Sequence, residues 1–308
     1  MTQRPLYHRL DPLLSRWSGS SPPRKSSFLV EPALSRATPL TKIRMARSSF
    51  GRELMPVHAW AIGDTLIDTG LSCFSRELSA FAKLAGIRRA LLTHHHEDHS
   101  GNAATLASHG VEVSASAPTA AIVSRGFPIR FYQHLMWGTA PAAPLSSIAP
   151  LPTTTQVGPY EAQLLPAPGH CDDQIVVFIP EHGWLFSGDV FLHERIKVFR
   201  RDEDFATSVA TLERLLTLDF DTLLCAHRPR FTGGKAALAA KLAHLQDVKG
   251  RTRTLHEKGL PEAQIAQRLG IAKPSTFTRI TLGDVSTENL VRSILHGPSP
   301  RPEIASLR

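Results

Sequence analysis

His94-His95-His96-Glu97-Asp98-His99 is the stretch of this sequence that decides its fold, because it places three imidazoles and a carboxylate at the spacing His-x-His-x-Asp-His. The run Arg89-Ala90-Leu91-Leu92-Thr93 before it predicts a short buried strand, and Ser100-Gly101-Asn102 predicts a turn into a helix over Ala103–Ser108. The motif therefore lies in a loop, where several short side chains can point into one cavity. Imidazole and carboxylate ligands together suit Zn, Mn or Fe. A solvated loop or an adventitious metal-binding tract is the alternative for an isolated run of this kind.

Four other segments repeat this placement of one chemically active side chain after a short apolar run. They are Thr65-Leu66-Ile67-Asp68-Thr69-Gly70, Ala167-Pro168-Gly169-His170, Phe186-Ser187-Gly188-Asp189 and Leu224-Cys225-Ala226-His227. Five such placements in one order are hard to obtain by chance, which argues against the solvated loop.

In this order of motifs the chain resembles the metallo-β-lactamase superfamily, from Val57 to Lys241. The resemblance implies one metal bound by His94, His96 and His170, and a second bound by Asp98, His99 and His227. Asp189 would bridge the two metals. Asp68 would lie behind the ligands and orient a ligating histidine by hydrogen bonding, a role compatible with capping the turn before Gly70.

The implied fold is of the α/β (α+β) class, an αββα sandwich of the metallo-β-lactamase type with a small helical C-terminal domain. The alternation of hairpins and strand–helix units along the chain suits two packed sheets with helices outside. We expect a disordered basic tail over residues 1–49, a catalytic domain over 50–235 and a helical domain over 236–308.

The chemistry implied is hydrolysis with two divalent metal ions per chain, Zn being the first choice and Mn or Fe the alternatives. A water bridging the two ions would lose a proton near neutral pH and give a hydroxide nucleophile. Asp98 and Asp189 are the expected catalytic residues. Cysteine is absent from every matched ligand position, unlike in the lactam-cleaving branch.

The charge of the chain is concentrated at its N-terminus. The whole sequence carries +8, but residues 1–49 hold nine Lys or Arg against two acids. This Ser-, Pro- and Arg-rich segment is typical of disorder, and a start at Met45 is an alternative under which the shorter chain should still fold. The three scattered cysteines, Cys73, Cys171 and Cys225, favour a reducing compartment, and the last two are expected to be small buried hydrophobes. We therefore expect a cytoplasmic protein, with organellar import left open by the Arg and Ser content.

The C-terminal residues predict helices at Ala236–Lys249 and Ala263–Leu269, the second ending at Gly270. Their succession of helix, turn and helix is compatible with DNA binding, but a helical lid or a dimerisation element is the preferred interpretation. A homodimer is left open, and no apolar run is long enough to span a membrane.

The substrate is the least determined feature. The run from Thr93 to Asn102 resembles the glyoxalase II motif, whereas Ala226-His227-Arg228-Pro229 with the following helix resembles the β-lactamase-like endoribonucleases. Arg195 and Lys197, in a basic stretch with His193, Arg200 and Arg201, are candidates for binding an anionic substrate, although a solvated basic stretch explains them equally well. Residues 50–239 carry 15 basic and 19 acidic side chains, which favours a small acyl substrate over a polyanion.

The sequence leaves three functions to consider. The first is a dinuclear hydrolase of a small thioester or ester, similar to hydroxyacylglutathione hydrolase. The alternative is a metal-dependent endoribonuclease, whose nucleic-acid partner is not favoured. The third is a DNA-binding ligand sensor, against which the complete set of metal ligands argues.

Overall fold

The computed structural model describes residues 26–34, 38–49, 52–271 and 276–298. Its strands, in chain order, are β1 (Ser27–Pro32), β2 (Leu40–Ala46), β3 (Ser48–Ser49), β4 (Arg52–Glu53), β5 (Val57–Ile62), β6 (Thr65–Ile67), β7 (Arg89–Leu92), β8 (Glu112–Ser116), β9 (Ser146–Ile148), β10 (Thr153–Val157), β11 (Tyr160–Pro166), β12 (Ile175–Ile179), β13 (Trp184–Gly188), β14 (Phe199–Arg200), β15 (Thr222–Cys225) and β16 (Val285–Ser286). Its helices are α1 (Ser75–Ala85), α2 (Glu97–Ser100), α3 (Ala103–Ser108), α4 (Ala117–Arg125), α5 (Phe131–Met136), α6 (Phe205–Leu215), α7 (Gly234–Glu257), α8 (Glu262–Leu269), α9 (Thr276–Ile280) and α10 (Thr287–His296).

Two large sheets form the centre of the molecule. The first contains seven strands in the order β1-β2-β5-β6-β7-β8-β9, antiparallel from β1 to β6 and parallel from β6 to β9. The second contains five strands in the order β10-β11-β12-β13-β15, and only its last pair is parallel. In both sheets, the parallel strands follow helices or long loops that return the chain to the same end of the sheet.

The sheets pack face to face through apolar side chains. Every residue of β5 and of β12 is buried, as expected for strands covered on both faces. Trp60 of the first sheet meets Phe186 of the second edge-on, with ring centroids 6.2 Å apart. One apolar core lies outside the first sheet under α1, α3 and α4, and another lies outside the second sheet under α6, α7, α8 and α10. This arrangement confirms the predicted αββα sandwich with a helical C-terminal region.

The prediction of a disordered tail over residues 1–49 is wrong for the described part of that segment. β1 and β2 form an antiparallel pair at the edge of the first sheet, and β2 also pairs with β5. Leu40, Ile43 and Met45 are fully buried. A chain starting at Met45 would therefore lose an edge strand and most of its neighbour, which argues against the expectation that it folds. Residues 1–25 lie outside the described residues.

The C-terminal helices pack as part of the same body as the second sheet. α7 contacts β15 and α6, and α10 contacts α6, α7 and α8. The predicted end of α8 is present, since Gly270 follows Leu269 with a left-handed φ of 63°. Within the described residues, no helix is both long and apolar enough to cross a membrane.

Candidate metal centre

The histidine motif lies where the first sheet ends. β7 stops at Leu92, and the motif occupies the following loop and the single helical turn α2. Asn102 holds this loop, because its side-chain amide donates hydrogen bonds to the carbonyls of Thr69 and Leu71, 2.6 and 2.9 Å away. His94 and His99 are fully buried, and His96 and Asp98 are exposed by only 4%. The loop therefore presents four polar side chains to the interior, where they need partners.

The remaining donors come from the second sheet. His170 lies in the loop between β11 and β12, Asp189 follows the last residue of β13, and His227 lies two residues after β15. β13 and β15 are parallel, so their carboxyl ends meet at one edge of the sheet. All seven predicted metal ligands thus come together at one end of the sandwich.

The first donor group consists of His94, His96 and His170. The Nδ1 atom of His96 lies 2.9 Å from Nε2 of His94 and 3.1 Å from Nε2 of His170. Burial lowers the pKa of His94 and His96 well below the ordinary value, so both rings are neutral. Three imidazoles with nitrogens directed at one point suit a borderline metal such as zinc.

The second donor group consists of Asp98, His99, Asp189 and His227, whose ligand atoms lie within 4.8 Å of one another. Burial disfavours a charged imidazole, but Asp68 and the acids of the group outweigh it and hold the pKa of His99 well above the ordinary value. Asp189 and Asp98 likewise raise the pKa of His227 to about 10 against the effect of burial. In this protonated form the two histidines supply the positive charge that a metal ion would supply.

Asp189 connects the two groups. Its Oδ2 atom lies 3.6 Å from Nε2 of His170 and 3.5 Å from Nε2 of His227. Nε2 of His99 and Oδ1 of Asp189 are 3.3 Å apart, yet both are buried and neither makes a hydrogen bond. Two buried, unpartnered ligand atoms aimed at a shared space fit a metal ion between them.

Most of these histidines are fixed by an oxygen atom on the side away from the group. Nδ1 of His99 contacts Oδ2 of Asp68 at 2.8 Å, and Nδ1 of His170 contacts Oε1 of Glu203 at 3.0 Å. Asp68 also accepts a hydrogen bond of 2.8 Å from the backbone N–H of Thr93, and its φ of 59° places it in the left-handed region. The structure thus puts Asp68 where the sequence predicts it, behind a histidine of the second group. The contribution of Glu203 was not predicted.

The predicted substrate-binding pair does not lie at this centre. Arg195 and Lys197 are exposed and line a separate cleft against α7 and α8, to which none of the seven donors contributes. Arg200, a later member of the same basic stretch, does reach the centre. Nη1 of Arg200 lies 3.1 Å from Nε2 of His96. The sequence offers no signal that distinguishes Arg200 from its basic neighbours.

The middle histidine of the triplet faces away from the donor groups. Asp173 accepts hydrogen bonds from Nδ1 of His95 at 2.8 Å and from its backbone N–H at 3.0 Å. Thr119 donates to the same carboxylate at 2.9 Å. Although His95 could also form a metal-binding group with His96 and Cys171, these bonds direct His95 to a structural role.

The segment 126–138, which contains α5, covers the metal centre. Gln133 donates a hydrogen bond of 3.1 Å to Glu97 of the motif, and the ring of Trp137 lies 6.3 Å from that of His227. The C-terminal region holds this segment in place, because Asp284 accepts a hydrogen bond of 2.6 Å from the Tyr132 hydroxyl and pairs with Arg130. The sequence did not predict the position of this segment, because residues 126–138 have no periodic apolar pattern.

The buried cysteines have no place among the seven donors. Cys225 accepts a hydrogen bond from the backbone N–H of Arg228, and burial raises the pKa of its thiol to about 12. Cys171 is 1% exposed. Both are buried, as predicted, and the raised pKa of Cys225 disfavours its thiolate form.

Comparison with known proteins agrees with this geometry. The family model of the metallo-beta-lactamase superfamily matches residues 53–227, and the chain belongs to this superfamily. A hydroxyacylglutathione hydrolase from Rhodobacter capsulatus is 28% identical over 228 residues, which cover 69% of this chain and 81% of that protein.

Solved structures share the fold. A metallo-beta-lactamase from Pontibacter korlensis superimposes with a TM-score of 0.55 at 18% identity, covering 72% of this chain and 100% of that one. A metallo-beta-lactamase from Pseudomonas aeruginosa, solved in a mono-zinc form, gives a TM-score of 0.54 at 19% identity, covering 74% and 98%. The superfamily and the hydrolase relative identify this chain as a metal-dependent hydrolase.

Proposed function

We propose that the protein is a dinuclear hydrolase of small thioesters or esters, of the hydroxyacylglutathione hydrolase type. The observation that carries this proposal is the pair of donor groups joined by Asp189, in a chain related to an enzyme named for that activity. Zinc is the preferred metal, because five histidines and two aspartates without a thiolate offer borderline ligands.

Metal ions bound at the two groups would polarise the carbonyl under attack and lower the pKa of water. The residues of the chain would hold that centre in place. Asp189 contacts both groups, Asp68 fixes the ring of His99, and Glu203 fixes the ring of His170. The segment 126–138 limits the access of bulk water from the side of Glu97 and His227.

The metal content is tested first. Elemental analysis of the protein reconstituted with zinc should give close to two ions per chain. One ion per chain would contradict the dinuclear proposal, and a protein that stays free of metal would refute the metal centre itself.

The reaction is tested on the same sample. The zinc-loaded protein should release free thiol from hydroxyacylglutathione and leave a single-stranded RNA oligonucleotide intact. Asp189→Asn should abolish thiol release, because it removes the anionic contact shared by both groups. Asp219→Asn, which alters an exposed aspartate, should not. Cleavage of RNA without thiol release would make the nuclease the better account.

A further inference from the structure

The outer nitrogens of the five histidines differ in what they face. A metal-bound histidine normally donates its second N–H to an oxygen acceptor. His99 and His170 face carboxylates, and His227 faces the carbonyl of Pro56 at 2.9 Å. His94 faces the hydroxyl of Thr93 at 3.1 Å. Four of the five rings therefore already have the oxygen that a ligating imidazole requires.

His96 is the exception, and its ring is reversed. Its Nδ1 atom points at the other two histidines of the first group, so its outer atom is Nε2. That atom faces Nη1 of Arg200 at 3.1 Å. Because a guanidinium only donates, Nε2 of His96 is an acceptor in this structure. When a metal ion occupies Nδ1 of His96, the ring proton lies on Nε2. Nε2 of His96 and Nη1 of Arg200 are then two donors that face each other with no acceptor between them.

Arg200 is held at this position. Its Nε and Nη2 atoms donate to the two carboxylate oxygens of Asp202, each at 3.2 Å. Two of the three guanidinium nitrogens are therefore fixed, and the third remains directed at the metal centre. The side chain of Arg200 is 17% exposed, so it is not sealed off from solution.

We infer that Arg200 and His96 together bind a carboxylate oxygen of the substrate. Two strong donors, one carried by a cation and the other on a metal-bound ring, favour an anionic acceptor over a neutral one. This inference rests on the proposed hydrolase function and narrows its substrates to small thioesters that carry a carboxylate. It transfers the anion-binding role from Arg195 and Lys197 to Arg200.

The first test measures zinc affinity and needs no turnover. The binding of two ligands to one protein is coupled reciprocally. A carboxylate that binds only the zinc-loaded protein must therefore raise the affinity of the protein for zinc. Competition with a chromophoric chelator should show that propionate tightens zinc binding about tenfold, the scale of one charge-assisted hydrogen bond. Propionamide, which has the same shape without the charge, should leave the zinc affinity unchanged.

Variants show whether Arg200 is responsible. Arg200→Met should lose the effect of propionate, and its zinc affinity without propionate should be equal to or higher than that of the wild type, because the opposed donor is gone. Arg200→Lys should retain part of the effect even if the methionine variant folds poorly. Arg201→Met, which removes the same charge from the exposed neighbouring residue, should respond as the wild type does.

Several results would overturn the inference. A propionate effect that persists in Arg200→Met would mean that the carboxylate binds the metal alone. An equal effect of propionamide would mean that a neutral oxygen suffices. A fall in zinc affinity in Arg200→Met without propionate would mean that Arg200 only supports His96.

The second test uses turnover of two thioesters, one with a carboxylate on its acyl group and one with the corresponding amide. The wild type should favour the carboxylate about tenfold or more in kcat/KM, through KM, and Arg200→Met should lose this preference. Equal kcat/KM values for the two thioesters in the wild type would contradict the inference. If the wild type hydrolyses neither thioester, the proposed function fails, while the zinc–propionate coupling still decides the role of Arg200.

Discussion

Asp68→Asn should weaken metal binding at the second donor group and largely preserve metal binding at the first. In the structure the Asp68 carboxylate accepts from the backbone N–H of Thr93 and contacts Nδ1 of His99, each at 2.8 Å. The asparagine amide can keep its oxygen on Thr93 only by turning its NH₂ group toward His99. A metal ion on Nε2 of His99, the atom directed at Asp189, leaves the ring proton on Nδ1, where it would face that NH₂ group. Two donors would then oppose each other, which disfavours a metal ion in the second group.

The magnitude follows from the role of such supporting contacts. Loss of one typically reduces metal affinity by about 10- to 100-fold, which is about 1.4 to 2.7 kcal/mol. Stepwise zinc titration against a chelator should show this loss mainly for one ion, since among the described residues Asp68 is linked to the first group only through the Thr93 hydroxyl. Asp64→Asn, which alters a half-exposed aspartate paired with Arg89, is the matched control. Equal weakening of both zinc ions would refute this reasoning. A loss of zinc affinity smaller than about twofold, where about 10- to 100-fold is expected, would refute it as well.

Three further predictions concern stability and the thiols. Gly101→Ala should lower the free energy of unfolding in urea by about 3 kcal/mol or more, because its Cβ would lie 2.5 Å from a backbone oxygen. Gly250→Ala in α7, where nothing lies within 4 Å, should be neutral or stabilising by up to about 1 kcal/mol, and equal effects would contradict the packing argument. A chain starting at Met45 should lack a cooperative thermal transition, and a normal melting curve would show that β1 and β2 are dispensable. Cys171→Ser and Cys225→Ser should keep most thiol-releasing activity, and its loss in a folded variant would give a thiol a role in the reaction.

The donors at the metal centre could be predicted because each is marked by its local sequence. Each one lies either in the motif at residues 94–99 or shortly after a short apolar run, and the order of these segments identifies the fold. His95 shows the limit of that reasoning, since the spacing excludes it from the donor set but does not reveal Asp173 as its partner.

The remaining features depend on contacts between distant segments. Arg200 reaches His96 across 104 residues of sequence, and Tyr132 reaches Asp284 across 152. The edge strands were missed for a different reason. The average composition of residues 1–49 hides the alternation of Lys42, Ile43, Arg44 and Met45, in which the apolar residues are buried and the basic ones half-buried.

The division of the donors between the two sheets has a consequence for folding. The first group takes two histidines from the end of β7 and one from the second sheet, and the second group likewise draws on both. Neither group is complete until the two layers have docked, so zinc would bind the native chain and stabilise it by mass action. At a free zinc concentration 1,000 times the dissociation constant, one ion contributes about 4.1 kcal/mol. Each ion would then act as a reversible cross-link between the two halves of the chain, and the heat resistance of the protein would track the zinc supply around it.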